Sequence, residues 1–218
     1  MDALNRLNTT DFSSWEELNE YVGMNRSEPF KEYFAPMQIT EEQKKRRGIF
    51  AERLEDDIVY LLAFLFYQRI GENQTLNIGD IIDDVRTGYI NAYGTPDEYI
   101  TARSEQFATQ VIDVAERHGD DPYYVSADRA RKLAEEEANT ALNHAEYVAA
   151  LKGYKRKQWV TMMDGRERQT HGEVNGTIIP IGDLFYVGDS IFAYPRDMTY
   201  DPSMEEVANC RCSLRYLK

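Results

Sequence analysis

The chain has 218 residues, 42% hydrophobic and 29% charged, with a formal net charge of −13. That length can bury a sizeable core, and its longest apolar run, "IVYLLAFLFY", is about ten residues where a bilayer span needs roughly 20. The charge is uneven, with −14 on residues 1–150 and +1 on residues 151–218, so the front of the chain repels nucleic acid at long range and favours solubility or basic partners.

The opening "MDALNRLNTTDFSSW" is polar throughout, and no signal peptide is expected. "SSWEELNEYV" predicts a short helix capped by Ser13 or Ser14. "NRSEPFKEYFAPM" has two prolines and little helical periodicity, so it reads as an extended arm that orders on a partner. Next comes "ITEEQKKRRGIFAERLEDDIVYLLAFLFYQRI". It opens with a capping box, Thr40 to Gln43, and repeats apolar residues at helical spacing through Ile49, Phe50, Leu54, Ile58, Leu61, Leu62 and Leu65. Gly71 is the expected stop.

"NIGDIIDDVRTGYINAYG" predicts a shorter helix. The next is expected to start with Thr95 as cap and Pro96 in its first turn, and to end at Gly119. A long helix rich in Ala, Leu and Glu follows over 127–152, capped by Ser126 and ending near Gly153. After that the pattern changes. "KQWVTMM", "GTIIPI", "LFYVG" and "SIFAYP" are short strands divided by Gly, Pro, Asn and Asp, and Cys212, Leu214 and Tyr216 alternate as in an edge strand. The expected class is α+β: a mainly helical body over 1–125, then a small α+β module over 126–218 with short antiparallel strands. No G-x-G-x-x-G, Walker A, H-E-x-x-H or C-x-x-C motif occurs, which leaves nucleotide-binding, zincin and thioredoxin readings without support.

Both cysteines stand in "NCRC", and their scarcity favours a reducing compartment over a disulfide framework. Three readings of the pair compete. Cys210, Cys212 and His171 could be three zinc ligands, with Asp164 as a fourth, but alternate strand positions lie about 7 Å apart. A bond between the two cysteines would close a small strained ring. The favoured reading is packing, with both thiols as small buried hydrophobes.

"DGRERQTHGEV" raises a second question. His171 beside Arg166, Arg168 and Asp164 resembles part of a metal-independent nuclease site, with Glu173 in place of a second histidine. The favoured alternative is a structural network in which Asp164 pairs with Arg166 or Arg168 and is partly buried. Breaking such a pair costs roughly 3–5 kcal/mol. "KKRR" and "KGYKRK" could touch phosphate, or could be solvated helix ends.

Read together, these segments resemble a known family. Lys157 and Trp159 open the first strand, followed by Asp164-x-Arg166, Arg168-x-x-His171 and the Gly176 turn. Tyr194-Pro195 and Asn209-Cys210-Arg211-Cys212 close the pattern. This order is similar to the C-terminal module of phage head morphogenesis proteins, the Mu F-like or SPP1-type minor head proteins, over roughly 125–218. The resemblance implies a structural minor head protein of a tailed phage. It would bind the portal protein, assist head assembly or DNA delivery, and reside in the virion after assembly in the host cytoplasm. Major capsid or scaffold protein and packaged DNA are further implied partners, and no membrane, cofactor or catalytic residue is implied. In some relatives Cys-x-x-Cys stands where this chain has Arg168 and His171, so the expectation here is no metal. The helical body, with aromatics such as Trp15, Tyr21, Phe30, Tyr33 and Phe34, is expected to carry the portal contact.

Overall fold

The computed structural model describes residues 30–70, 78–94, 97–118 and 121–218. The expected helix at 13–22, the Gly71 and Gly119 stops, Thr95 and Pro96 lie outside these residues. The elements run α1 (Lys31–Phe34), α2 (Glu41–Ile70), α3 (Ile78–Tyr93), α4 (Glu98–Arg117), a 3-10 turn (Pro122–Val125) and α5 (Ala127–Ala150). Then follow β1 (Arg156–Val160), α6 (Gln169–Val174), β2 (Ile178–Pro180), β3 (Phe185–Val187), β4 (Ser190–Phe192), α7 (Met204–Val207) and β5 (Ser213–Leu217). The fold is α+β, helical first and then short antiparallel strands. Among the described residues, no helix is long and apolar enough to cross a membrane.

Several helix ends follow directly from local chemistry. At the start of α2 the Gln43 amide N–H donates to Thr40 Oγ1 at 3.3 Å, and the Thr40 amide donates back to Gln43 Oε1 at 3.1 Å. Those two bonds are the capping box expected from the sequence. Ser126 Oγ likewise accepts from the Arg129 amide at 3.1 Å and caps α5. The start of α4 differs from expectation. Asp97 is the cap, accepting from the Ile100 amide at 2.9 Å, so the helix begins at Glu98 rather than beside Thr95. An aspartate two residues further on offers a stronger acceptor for the free amides than the threonine does.

Contacts gather the chain into two compact units. Among the described residues, one comprises Ile49–Ala134, and the other combines Phe30–Gly48 with Glu135–Lys218. In the first unit Phe50, Tyr89 and Phe107 pack ring against ring, at 5.2 and 5.9 Å between centroids. Leu61, Leu62, Ala63, Phe64 and Leu65 are consecutive and all buried, so this stretch of α2 is enclosed on every side. Gly88 on α3 permits a close approach: a Cβ there would lie 1.7 Å from Asp57 Oδ2.

The second unit takes in a segment that the sequence assigned to an extended arm. Residues 31–34 are helical, and Phe30, Phe34 and Met37 are buried. Apolar burial at i, i+4 and i+7 outweighs the poor periodicity of this stretch, and Phe30 and Phe34 are core residues rather than free interface anchors. The unit's sheet has the order β2-β1-β5, antiparallel throughout, with Trp159 opposite Leu214 and Lys157 opposite both Ile179 and Tyr216. A separate hairpin pairs β3 with β4 through a two-residue turn in which Gly188 adopts φ +57°. Its core joins Trp159, Phe185, Val187, Phe192, Tyr194, Val207, Cys210, Cys212 and Leu214.

Candidate functional site

The motif residues converge within this second unit. Strand β1 alternates its side chains, which sends Lys157 and Trp159 to the same buried face. Trp159 meets Phe185 at 5.2 Å, His171 at 5.9 Å and Phe192 at 6.0 Å. Lys157 is fully buried. Its ammonium donates to the Ala193 carbonyl at 2.7 Å and lies 4.5 Å above the Tyr147 ring. Burial pulls its pKa down to about 8 against the opposing pull of Asp197 and Asp183.

Tyr194 and Pro195 tie the segment after β4 to α5. The Tyr194 hydroxyl is 3.0 Å from His144 Nδ1, and the Pro195 carbonyl accepts from Asn143 Nδ2 at 3.3 Å. Asp197, 1% exposed, accepts from the Ala193 and Thr199 amides and fixes the turn. Arg47 of α2 enters the same unit. It binds Asn139 Oδ1, Asn143 Oδ1 and both oxygens of Glu146. Asn139 and Asn143 each donate to the Cys212 carbonyl at 3.0 Å. Arg47 is fully buried, neither solvated nor phosphate-facing as its place in "KKRR" suggests. Its position three residues before Phe50 and seven before Leu54 places it on the apolar face, and that phase is the signal that identifies it.

The charged residues of "DGRER" include the expected Asp164–Arg166 pair, and Arg211 joins it. Asp164 pairs with Arg166 (2.8 Å) and with Arg211 (2.6 Å), whereas Arg168 donates to the Ala208 carbonyl. Asp164 is exposed, so this cluster is a surface clasp. The Arg211 hydrogen bond, opposed by slight desolvation and aided by Arg166, holds its carboxyl well below the usual range.

His171, Cys210 and Cys212 form a compact cluster of metal-ligating side chains, all three buried. The two sulphurs are not held apart by strand geometry. Neither cysteine lies in β5, which begins at Ser213, and Asn209 turns the backbone with φ +54° just after α7. Asparagine tolerates that left-handed conformation better than most residues. The three ligand atoms lie within 4.8 Å of one another. His171 Nδ1 is 3.3 Å from Cys212 Sγ and 3.7 Å from Cys210 Sγ. On its other side Nε2 lies 2.9 Å from Glu206 Oε2, bent away from an ideal hydrogen-bond line.

Thr170 Oγ1 donates to that same Glu206 oxygen at 2.8 Å. Gly188 leaves room for the carboxylate, since a Cβ there would lie 2.6 Å from Glu206 Oε1. The Cys212 contact drives the Cys210 thiol well below its ordinary value, against burial and with help from His171. Cys212 is pushed well above its own by Cys210 and by burial. Burial works to lower the His171 pKa, but the Cys210 sulphur and Glu206 raise it on balance.

A pocket of about 20 Å³ opens beside the cluster, lined by Thr161, Met162, Arg166, Glu167, Arg168 and Arg211 together with residues of the triad. That is room for about one water molecule. The other histidines are elsewhere: His144 against Tyr194, and His118 stacked on Tyr124 at 4.2 Å.

No curated protein and no solved structure matches the chain. A family model does, over residues 102–215, reaching further upstream than the motif residues and into α4. That match spans more than half of the chain and contains every motif residue described above: the chain belongs to the phage Mu protein F like family.

Proposed function

We propose that this chain is a structural minor head protein of a tailed phage, which binds the portal and assists head assembly or DNA delivery without catalysing a reaction. Family membership supports the head role. The observation that carries the non-catalytic part is the employment of the motif side chains. Lys157, His171, Cys210 and Cys212 are buried and bonded to one another or to neighbouring backbone, Trp159 is buried among aromatic rings, and Asp164 is clasped by two arginines. A general base must reach its substrate within hydrogen-bond distance. His171 is 2% exposed, and both its ring nitrogens face protein groups. The family motif on this reading is a packing and bonding signature, and the protein works through its surface. Portal protein is the proposed principal partner, with capsid or scaffold protein and packaged DNA as further candidates.

The test has two arms. Purified heads of the phage that encodes this chain should contain it in low copy, detected by mass spectrometry of the washed particles. The purified full-length chain should leave RNA and DNA intact. Heads lacking the chain would overturn the structural role, and cleavage abolished by His171→Ala would replace it with a nuclease.

A further inference from the structure

We propose that His171, Cys210 and Cys212 bind a single Zn2+ ion or a similar thiophilic divalent cation that staples the loop leading into β5 to α6. Zinc bonds of about 2.3 Å to sulphur and about 2.0–2.1 Å to nitrogen, arranged tetrahedrally, place ligand sulphur and nitrogen about 3.6 Å apart. The two nitrogen–sulphur separations, 3.3 and 3.7 Å, bracket that value. A hydrogen bond alone accounts for the arrangement less well. Nδ1 offers one bonding site, a proton or a lone pair in the ring plane, yet it faces two sulphurs at once, so at most one of them takes a well-directed hydrogen bond.

The surroundings supply what a metal-binding histidine requires. Its second nitrogen lies 2.9 Å from the Glu206 carboxylate, off the hydrogen-bond line and otherwise unpartnered, and Thr170 holds that carboxylate beside it. A carboxylate behind the imidazole is the usual support of a zinc-bound histidine, fixing the tautomer and the ring plane. The carbonyls of both cysteines are anchored as well. Asn139 donates to those of Cys210 and Cys212, so the short loop that presents the thiols is pinned. Two sulphurs and one nitrogen form a donor set suited to zinc rather than to calcium or magnesium. The adjoining pocket admits about one water, which completes four-coordination. Binding replaces each thiol proton by the metal, so two protons leave per ion and two thiolates balance its charge.

The inference is independent of the head-assembly reading, because it is measured on the isolated full-length chain. The reduced protein, stripped with a chelator, is titrated with Co2+ and then with Zn2+. The expected result is a thiolate-to-cobalt charge-transfer absorption that saturates at one equivalent and is abolished by Zn2+. Glu206→Gln leaves every ligand in place and should weaken the metal by about 10–100-fold. Cys210→Ser and Cys212→Ser should each lose the absorption, and if either fails to fold, the wild-type titration and the Glu206→Gln shift decide. Absence of the absorption in reduced wild type overturns the proposal, as does its survival in a folded Cys212→Ser variant.

Discussion

Arg47 on α2 and Glu146 on α5 meet in a two-pronged ion pair, with Nη1–Oε1 at 2.7 Å and Nη2–Oε2 at 3.0 Å. Their side chains are 0% and 5% exposed. The pair joins Phe30–Gly48 to the rest of its compact unit, and Asn139, Asn143 and Gln43 satisfy the remaining donors and acceptors. A planar guanidinium suits this site because its fork engages both carboxylate oxygens at once.

Removing one member leaves the other buried and uncompensated, at a cost of about 3–5 kcal/mol. Glu146→Ala is therefore expected to lower the stability of the full chain by that amount in urea denaturation. The double variant Arg47→Met with Glu146→Leu should recover a large part of the loss. If Glu146→Ala unfolds at the wild-type urea midpoint, the pair contributes nothing.

Asp164 belongs to a different class. Its clasp with Arg211 and Arg166 is at the surface, where ion pairs contribute about 0–1 kcal/mol after solvent screening. The cost of Asp164→Ala is expected within that range, well below the 3–5 kcal/mol of a buried pair. The folded-state pKa is depressed. The contribution is therefore fully present above the unfolded value of about 3.9 and lost as pH falls through the folded one. The gap in melting temperature between wild type and Asp164→Ala should narrow on acidification below pH ~4 and shrink with added salt. A gap unchanged by both would contradict the electrostatic account.

Lys157 gives the opposite pH signature. Its folded pKa of about 8 lies below the unfolded value of about 10.4. Between those values the unfolded chain holds more protons, so this group makes stability rise with pH. Wild type should gain up to about 3 kcal/mol relative to Lys157→Met from below pH 8 to above pH 10.4. A flat difference across that window would mean that the buried ammonium keeps its proton in the fold.

Local signals along the chain carried most of the secondary structure. The Thr40–Gln43 box, the Ser126 cap and the short strands after 153 each rest on neighbours within a few residues. Contacts between distant segments were harder to read. Residues 30–37 look like an arm until their aromatics are seen buried against a unit whose other part starts at Glu135. Asn139, Asn143 and Glu146 share one helix face at i, i+4 and i+7, but no local rule says that an arginine from "KKRR" meets them. At the candidate site the three residues were legible, whereas their convergence was not. It depends on the turn at Asn209, which places both thiols before the strand begins.

The grouping of Phe30–Gly48 with Glu135–Lys218 also determines how partner binding should be tested. A cut near residue 125 would separate Arg47 from Glu146 and damage both fragments. The full-length chain is the right reagent, co-expressed with the portal protein of the same phage and recovered through an affinity tag. The account predicts that portal co-elutes with the chain and stays with it on gel filtration. Clean separation of a folded chain from assembled portal would contradict it.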